Sequence, residues 1–236
     1  DGTLTPSRRP MTEDFENFFF RWVNRNSFYL VSGSDLDKIK EQVPDYILDL
    51  AEGVFTCGGN KFYIDGNLIY ENNFKPPEDL IEYLKNQLEI APFFARCGNH
   101  IENRGAMLNF SVVGRDCSLD QRKLYFEYDK VENERENITR EIKEKWSELD
   151  AVIGGQISID IAPKGNDKSQ VINEVKNNRN IGDAKYIFIG DRTMEGGNDY
   201  PLAETMLRMD DCEVFQAGEP SAEDGYKRTR EILEEL

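Results

Sequence analysis

Tyr186-Ile187-Phe188-Ile189-Gly190-Asp191 is a short apolar run that ends abruptly in a glycine and a carboxylate. The run reads as a buried strand, and the ligands of open α/β sheets gather at the carboxyl ends of such strands. A few residues on, Gly196-Gly197-Asn198-Asp199 supplies a second acidic turn. Phe28-Tyr29-Leu30-Val31 repeats the pattern near the other chain end, running into Ser32-Gly33-Ser34-Asp35. Between these strands lie helical patterns. Thr12 to Arg25 places Phe15, Phe18, Phe19, Trp22 and Val23 on one apolar face. Ser34 with Asp37 forms a capping box for a following helix. Ser169 caps a helix through Val171, Ile172 and Val175, and Ser221 with Asp224 caps a last one through Ile232 and Leu233. Helices alternating with short apolar strands predict βαβ units and a parallel sheet.

The middle of the chain follows another rule. Met107 to Val112 and Gly155 to Ile161 alternate with period two, as half-buried antiparallel strands do. Glu78 to Leu88 reads as a helix, and Leu119 to Leu149 is long, charged and helical. The expected architecture is an α/β core with a parallel sheet, made of residues 1–75 and 164–236. An α+β cap with an antiparallel sheet, residues 76–163, is inserted into it, and its size of roughly 90 residues is ordinary for a domain. Pro76-Pro77 and Pro163-Lys164-Gly165 are the candidate hinges.

Composition narrows the functions. The 236 residues, with 39% hydrophobic content and 14 Phe, describe a folded globule. A net charge of −16, from 45 acidic against 29 basic residues, argues against nucleic acid or an anionic membrane as partner. A small phosphorylated substrate remains open, because a few placed arginines suffice to hold it. No apolar run approaches the roughly 20 residues of a membrane helix, and no secretory signal is visible. Cys57, Cys97, Cys117 and Cys212 form no zinc-like spacing, and the chain has one His, His100. Free thiols in a reducing cytoplasm are expected.

The chain starts Asp1-Gly2-Thr3-Leu4-Thr5. Taken with Gly190-Asp191 and Gly196 to Asp199, this set resembles the motifs of the haloacid dehalogenase (HAD) superfamily, whose first motif is DxDGT. The resemblance implies a HAD-like Rossmannoid core. It makes Asp1 the general acid/base, whose backbone carbonyl also binds Mg2+, and places the nucleophilic Asp two residues upstream of it. Asp191 and Asp199 are then the further metal residues, Asp199 either as a ligand or as support for the metal loop. Ser32 or Ser34 and Lys168 resemble the phosphate-holding motifs. The chemistry is coherent: a carboxylate attacks phosphorus when a divalent cation neutralises the phosphoryl oxygens, and a second carboxyl moves the proton of the leaving hydroxyl.

The cap narrows the likeness. Asn103 to Arg115, continued by Asp116-Cys117-Ser118 and Arg122, resembles the RNGMLNVSPIGR stretch of eukaryotic-type phosphomannomutases. Gly154 to Asp160 resembles that family's GGQISFD, and Thr193 to Asp199 its TMPGGND. The resemblance implies that Arg104, Arg115, Arg122, Ser158 and Asp160 hold the distal phosphate and the sugar hydroxyls, with Arg8 joining from the core. Alternation along 155–161 puts Gln156, Ser158 and Asp160 on one polar face suited to a sugar. The chain departs from the family at Glu195, which replaces Pro, and at Asp116, which replaces Ser beside Arg115. Val54 to Asn60 lacks the FPENG pattern, and the linker and early cap are shorter.

The function so implied is interconversion of mannose 6-phosphate and mannose 1-phosphate through an aspartyl-phosphate. The resemblance brings Mg2+ and a hexose bisphosphate activator as cofactors, supply to GDP-mannose synthesis, and a homodimer through the cap. A phosphatase on the same scaffold is the alternative. A non-catalytic sugar-phosphate binder is a third reading, for a protein lacking the upstream Asp.

Overall fold

The structure, a computed structural model, describes residues 1–178, 184–219 and 222–236. In chain order the elements are α1 (Glu13–Val23), β1 (Tyr29–Val31), α2 (Leu36–Lys40), α3 (Asp45–Leu48), β2 (Gly53–Thr56), β3 (Lys61–Ile64) and β4 (Asn67–Glu71). There follow α4 (Glu78–Ile90), β5 (Ile101–Asn103), β6 (Leu108–Phe110), α5 (Leu119–Glu132), α6 (Glu134–Lys145), β7 (Leu149–Gly154) and β8 (Ser158–Pro163). The chain closes with α7 (Gln170–Asn178), β9 (Tyr186–Gly190), α8 (Tyr200–Leu207), β10 (Cys212–Gln216) and α9 (Gly225–Glu235). It divides into two compact units, Asp1–Glu71 with Asn166–Leu236, and Asn72–Gly165.

In the first unit β1 pairs parallel with β2, and β9 pairs parallel with β10 from Tyr186↔Cys212 to Gly190↔Gln216. Both expected apolar runs are therefore parallel strands. The sheet of β1 continues as an antiparallel meander, β2-β3-β4, that the sequence reading did not anticipate. Its cause is local. Asp65 and Gly66 both have positive φ (50° and 73°), the two-residue turn that an Asp-Gly pair favours between hairpin strands. On α1, Phe15, Phe19 and Val23 recur every fourth residue and are buried. Phe19 stacks on Trp22 and meets Phe28 edge-on. A second cluster has Phe55 stacked on Phe62 at 4.1 Å and packs Val171, Ile172 and Leu202.

The second unit is the expected α+β module, an antiparallel sheet in the order β5-β6-β8-β7. Leu108, Phe110, Ile159 and Ile161 share one apolar cluster with Leu80 and Leu84 of α4, Tyr125 of α5 and Ile138 and Ile142 of α6. The long helical segment is two helices. Asn133 adopts left-handed φ 55°, which ends α5 and starts α6. The strand expected over Gly155 to Ile161 starts later. Residues 155–157 are a turn, with Gly155 at φ 51°, so Gln156 belongs to the β7–β8 hairpin tip.

Two helix starts differ from expectation. The cap of α2 is Asp35, whose carboxylate accepts the Lys38 N–H at 2.9 Å, so the cap lies one residue beyond Ser34. Ahead of α7 the accepting carboxylate is Asp167, at 2.7 Å from the Ser169 N–H. The expected Ser221 cap lies outside the described residues. All four cysteines are free, and no helix among the described residues is long and apolar enough to cross a membrane.

Candidate functional site

The expected residues gather in two sets, one in each unit. In the first unit the Asp1–Thr5 turn is closed by Gly2 N–H donating to the Thr5 carbonyl at 2.8 Å. Helix α9 holds it from outside. Thr229 Oγ1 donates to the Thr3 carbonyl at 2.7 Å, and a Cβ on Gly225 would come within 1.8 Å of the Gly2 carbonyl oxygen. The Asp1 carboxylate is oriented by the Arg8 N–H, 2.9 Å from Oδ1. Arg8 itself sits at φ 56°, a left-handed conformation costing about 1 kcal/mol for a residue with a Cβ. On the other side Asp191 Oδ2 lies against Gly2, where a Cβ would meet it at 2.6 Å.

Lys168 and Asp199 form a buried ion pair at 2.6 Å. Asp199 Oδ2 accepts the Arg192 N–H at 3.0 Å. Burial alone would raise the Asp199 carboxyl, but the Lys168 charge and the hydrogen bonds from Lys168 and Arg192 outweigh it and hold the carboxyl below its ordinary value. Two residues ahead of Lys168, the Asn166 carbonyl accepts Asn60 Nδ2 at 2.8 Å. Ser32 and Ser34 sit at the carboxyl end of β1 and organise their own loop. Ser32 Oγ accepts the Ser34 N–H at 3.0 Å, and their carbonyls take the N–H groups of Gly58 and Cys57. Gln216, which the sequence reading missed, braces the loop after β9. Its Nε2 donates to the Asp191 carbonyl at 2.5 Å, and its Oε1 accepts from Thr193 N–H and Oγ1.

This set fits a hard divalent cation. Asp191 and Asp1 offer oxygen, the donor Mg2+ prefers, with remaining positions left to main-chain, phosphate and water oxygens. Among the described residues no three His, Cys, Asp or Glu side chains converge as a metal cluster. Both Asp199 oxygens already accept hydrogen bonds from Lys168 and Arg192.

In the second unit the cross-strand register puts Glu102, Asn109 and Asp160 in one row across β5, β6 and β8. Asn109 Nδ2 donates to Asp160 Oδ1 at 2.6 Å. Arg115 Nη1 donates to Ser158 Oγ at 2.7 Å, which ties the loop after β6 to the start of β8. Glu102 is a residue the sequence reading missed. One of its oxygens lies 2.9 Å from Arg104 Nε, 2.5 Å from Arg104 Nη2 and 3.9 Å from Arg115 Nε. The acid beside Arg115 in sequence, Asp116, instead turns its carboxylate onto Gly98. Arg122 lies buried in the first turn of α5, behind a capping box of Ser118 and Gln121. Gln156 lies buried at the hairpin tip. That tip is held by Arg135, also missed. Its Nε donates to Asp129 Oδ2 at 2.7 Å, and its Nη1 donates to the Gly155 and Ser158 carbonyls at 3.0 and 3.4 Å.

Known proteins resemble the chain along most of its length. A family model described as eukaryotic phosphomannomutase matches residues 15–235. A phosphomannomutase of Encephalitozoon cuniculi (strain GB-M1) is 35% identical over 250 residues, covering 100% of this chain and 92% of that protein. One from Dendrobium officinale is 34% identical over 213 residues, covering 87% and 82%. Among solved structures, a HAD subclass IIB sugar phosphatase superposes with a TM-score of 0.57 at 13% identity, over 100% of this chain and 97% of that one. That likeness is one of fold.

Proposed function

The chain belongs to the eukaryotic phosphomannomutase family, and on that premise we propose that it interconverts mannose 6-phosphate and mannose 1-phosphate, with a hexose bisphosphate as activator. The observation that carries the reading is the polar row of the inserted unit. Arg104, Arg115, Ser158 and Asp160 come together there from three separate segments through hydrogen bonds and sheet register. Forked guanidinium donors suit a phosphate, and a carboxylate beside them suits sugar hydroxyls. Arg122 and Gln156 complete the set that grips the sugar phosphate.

In the first unit Asp1 is the general acid/base. Its Oδ1 is pinned by the Arg8 N–H, which orients the carboxyl so that Oδ2 gives or takes the proton of the sugar hydroxyl. On the family's pattern the phosphoryl group would be carried by an aspartate two residues ahead of Asp1. Lys168 draws phosphate oxygens by charge, with Asp199 fixing its ammonium and Ser32 and Ser34 lending donors. Mg2+, held by Asp1 and Asp191 and braced by Asp199, would neutralise the phosphoryl oxygens. The same reading brings a cytoplasmic location, supply to GDP-mannose synthesis and a homodimer through the inserted unit.

A mutase and a phosphatase on this scaffold differ in whether water or a sugar hydroxyl takes the phosphoryl group. The intact protein, given mannose 1-phosphate, Mg2+ and a hexose bisphosphate, is expected to form mannose 6-phosphate with little free phosphate. Release of inorganic phosphate at the rate of sugar loss, with no 6-phosphate formed, overturns the mutase in favour of the phosphatase.

A further inference from the structure

We propose that Asn109 is a positioning residue for substrate recognition, holding the Asp160 carboxylate in the orientation that meets the sugar; this rests on the sugar-phosphate reading above. Asn109 is the middle residue of β6, opposite Glu102 on β5 and Asp160 on β8. It is 2% exposed, although both neighbours in its strand, Leu108 and Phe110, are core residues. Its Nδ2 donates to Asp160 Oδ1 at 2.6 Å. From the other side Asp160 Oδ2 rests on Gly154 of β7, where a Cβ would come within 2.6 Å. The carboxylate is thus held between an amide donor and a bare stretch of backbone.

Asn109 Oδ1 is buried with no hydrogen-bond partner among the described residues. A buried carbonyl without a partner is costly, and a leucine of the same branched shape would avoid that cost. Stability alone therefore does not account for an asparagine here. Its N–H is accounted for if Asp160 must stay charged and fixed. An amide serves that end better than an ionisable donor, because it does not titrate. The charged groups around Asp160 are Glu102 from β5, paired with Arg104 and Arg115, and Arg115 again on Ser158. Arg135 of α6, paired with Asp129, reaches the carbonyls at the hairpin tip. From β7, Val152 stands opposite Asp160.

The test uses Asn109→Asp and Asn109→Leu in the intact protein. Binding of mannose 1-phosphate is measured by calorimetry, and KM and kcat by assay, from acid to alkaline pH. In N109D two carboxyls lie within hydrogen-bond distance, and they avoid repelling each other only while they share one proton. With that proton bound, an O–H replaces the amide N–H and binding stays near wild type. As pH rises and the proton leaves, the like charges push Asp160 away, and affinity falls by roughly tenfold or more. N109L raises KM by roughly tenfold at every pH, with a smaller change in kcat. Thermal melts at each pH separate this loss from unfolding. An N109D whose affinity follows pH as wild type does, or an N109L with wild-type affinity, overturns the proposal. A wild-type protein that binds no mannose 1-phosphate overturns the functional reading and this inference with it. That outcome differs from wild-type binding that the two variants leave untouched.

Discussion

At the scale of single residues the first unit turns on Lys168 and Asp199, 31 positions apart in sequence and both buried. A buried ion pair contributes little over an apolar replacement, but removing one partner strands the other charge, at a cost of about 3–5 kcal/mol. Lys168→Met and Asp199→Asn are each expected to lose stability on that scale in urea melts. The double variant is expected to lose less than their sum, since neither charge is then stranded. Strictly additive losses would mean that the two do not couple. Asp1, Asp191 and Asp199 stood out in the sequence because each sits in a short local motif, whereas Lys168 stood out only through the family resemblance. Glu102, Arg135 and Gln216 did not. Each acts on residues fixed only by folding, such as Gln216 on Asp191 from a neighbouring parallel strand. Half of the Glu102 reading was within reach. Residues two apart in a strand share a face, so Glu102 could be set beside Arg104. Its link to Arg115 depends on how the chain returns after β6.

At the scale of elements, helix α9 supports the turn that carries Asp1. Its first residue, Gly225, lies so close to that turn that a Cβ would stand 1.8 Å from the Gly2 carbonyl and 2.7 Å from the Ala217 carbonyl. Backbone on both sides leaves no flexible group to yield. Gly225→Ala is expected to cost about 1–3 kcal/mol by overpacking, and to lower kcat because Asp1 moves with its turn. Gly66→Ala is the control, since a Cβ there meets open space and only the positive φ is strained. It is expected to cost about 1 kcal/mol and to leave kcat alone. Equal loss of kcat in both variants would remove α9 from this role. Element types were readable from periodicity, whereas their ends were not. Ser32-Gly33-Ser34-Asp35 holds several side chains able to cap a helix, and spacing alone does not choose among them. Asp35 prevails because it reaches the Lys38 N–H. The break at Asn133 is similar. Charge runs through it unchanged, and the one local signal is Asn133 itself, a weak helix former that tolerates the left-handed backbone separating α5 from α6.

At the scale of the whole molecule the apolar clusters follow the two units. The cluster of the inserted unit runs from Phe74 to Ile161, and both clusters of the other unit draw only on residues outside that span. Each unit thus has an apolar core of its own. Buried parallel strands and half-buried antiparallel strands differ in sequence pattern. Calorimetry is therefore expected to show two transitions. Ile142→Ala empties a site in the inserted unit that is 0% exposed, and Phe55→Ala does the same in the other unit. Each substitution should cost about 3 kcal/mol or more. Each should lower one transition and leave the other in place, because cooperativity follows shared burial and these residues share none. A single transition moved equally by both variants would mean that contacts outside the apolar clusters couple the units. The insertion would then be a part of one cooperative fold.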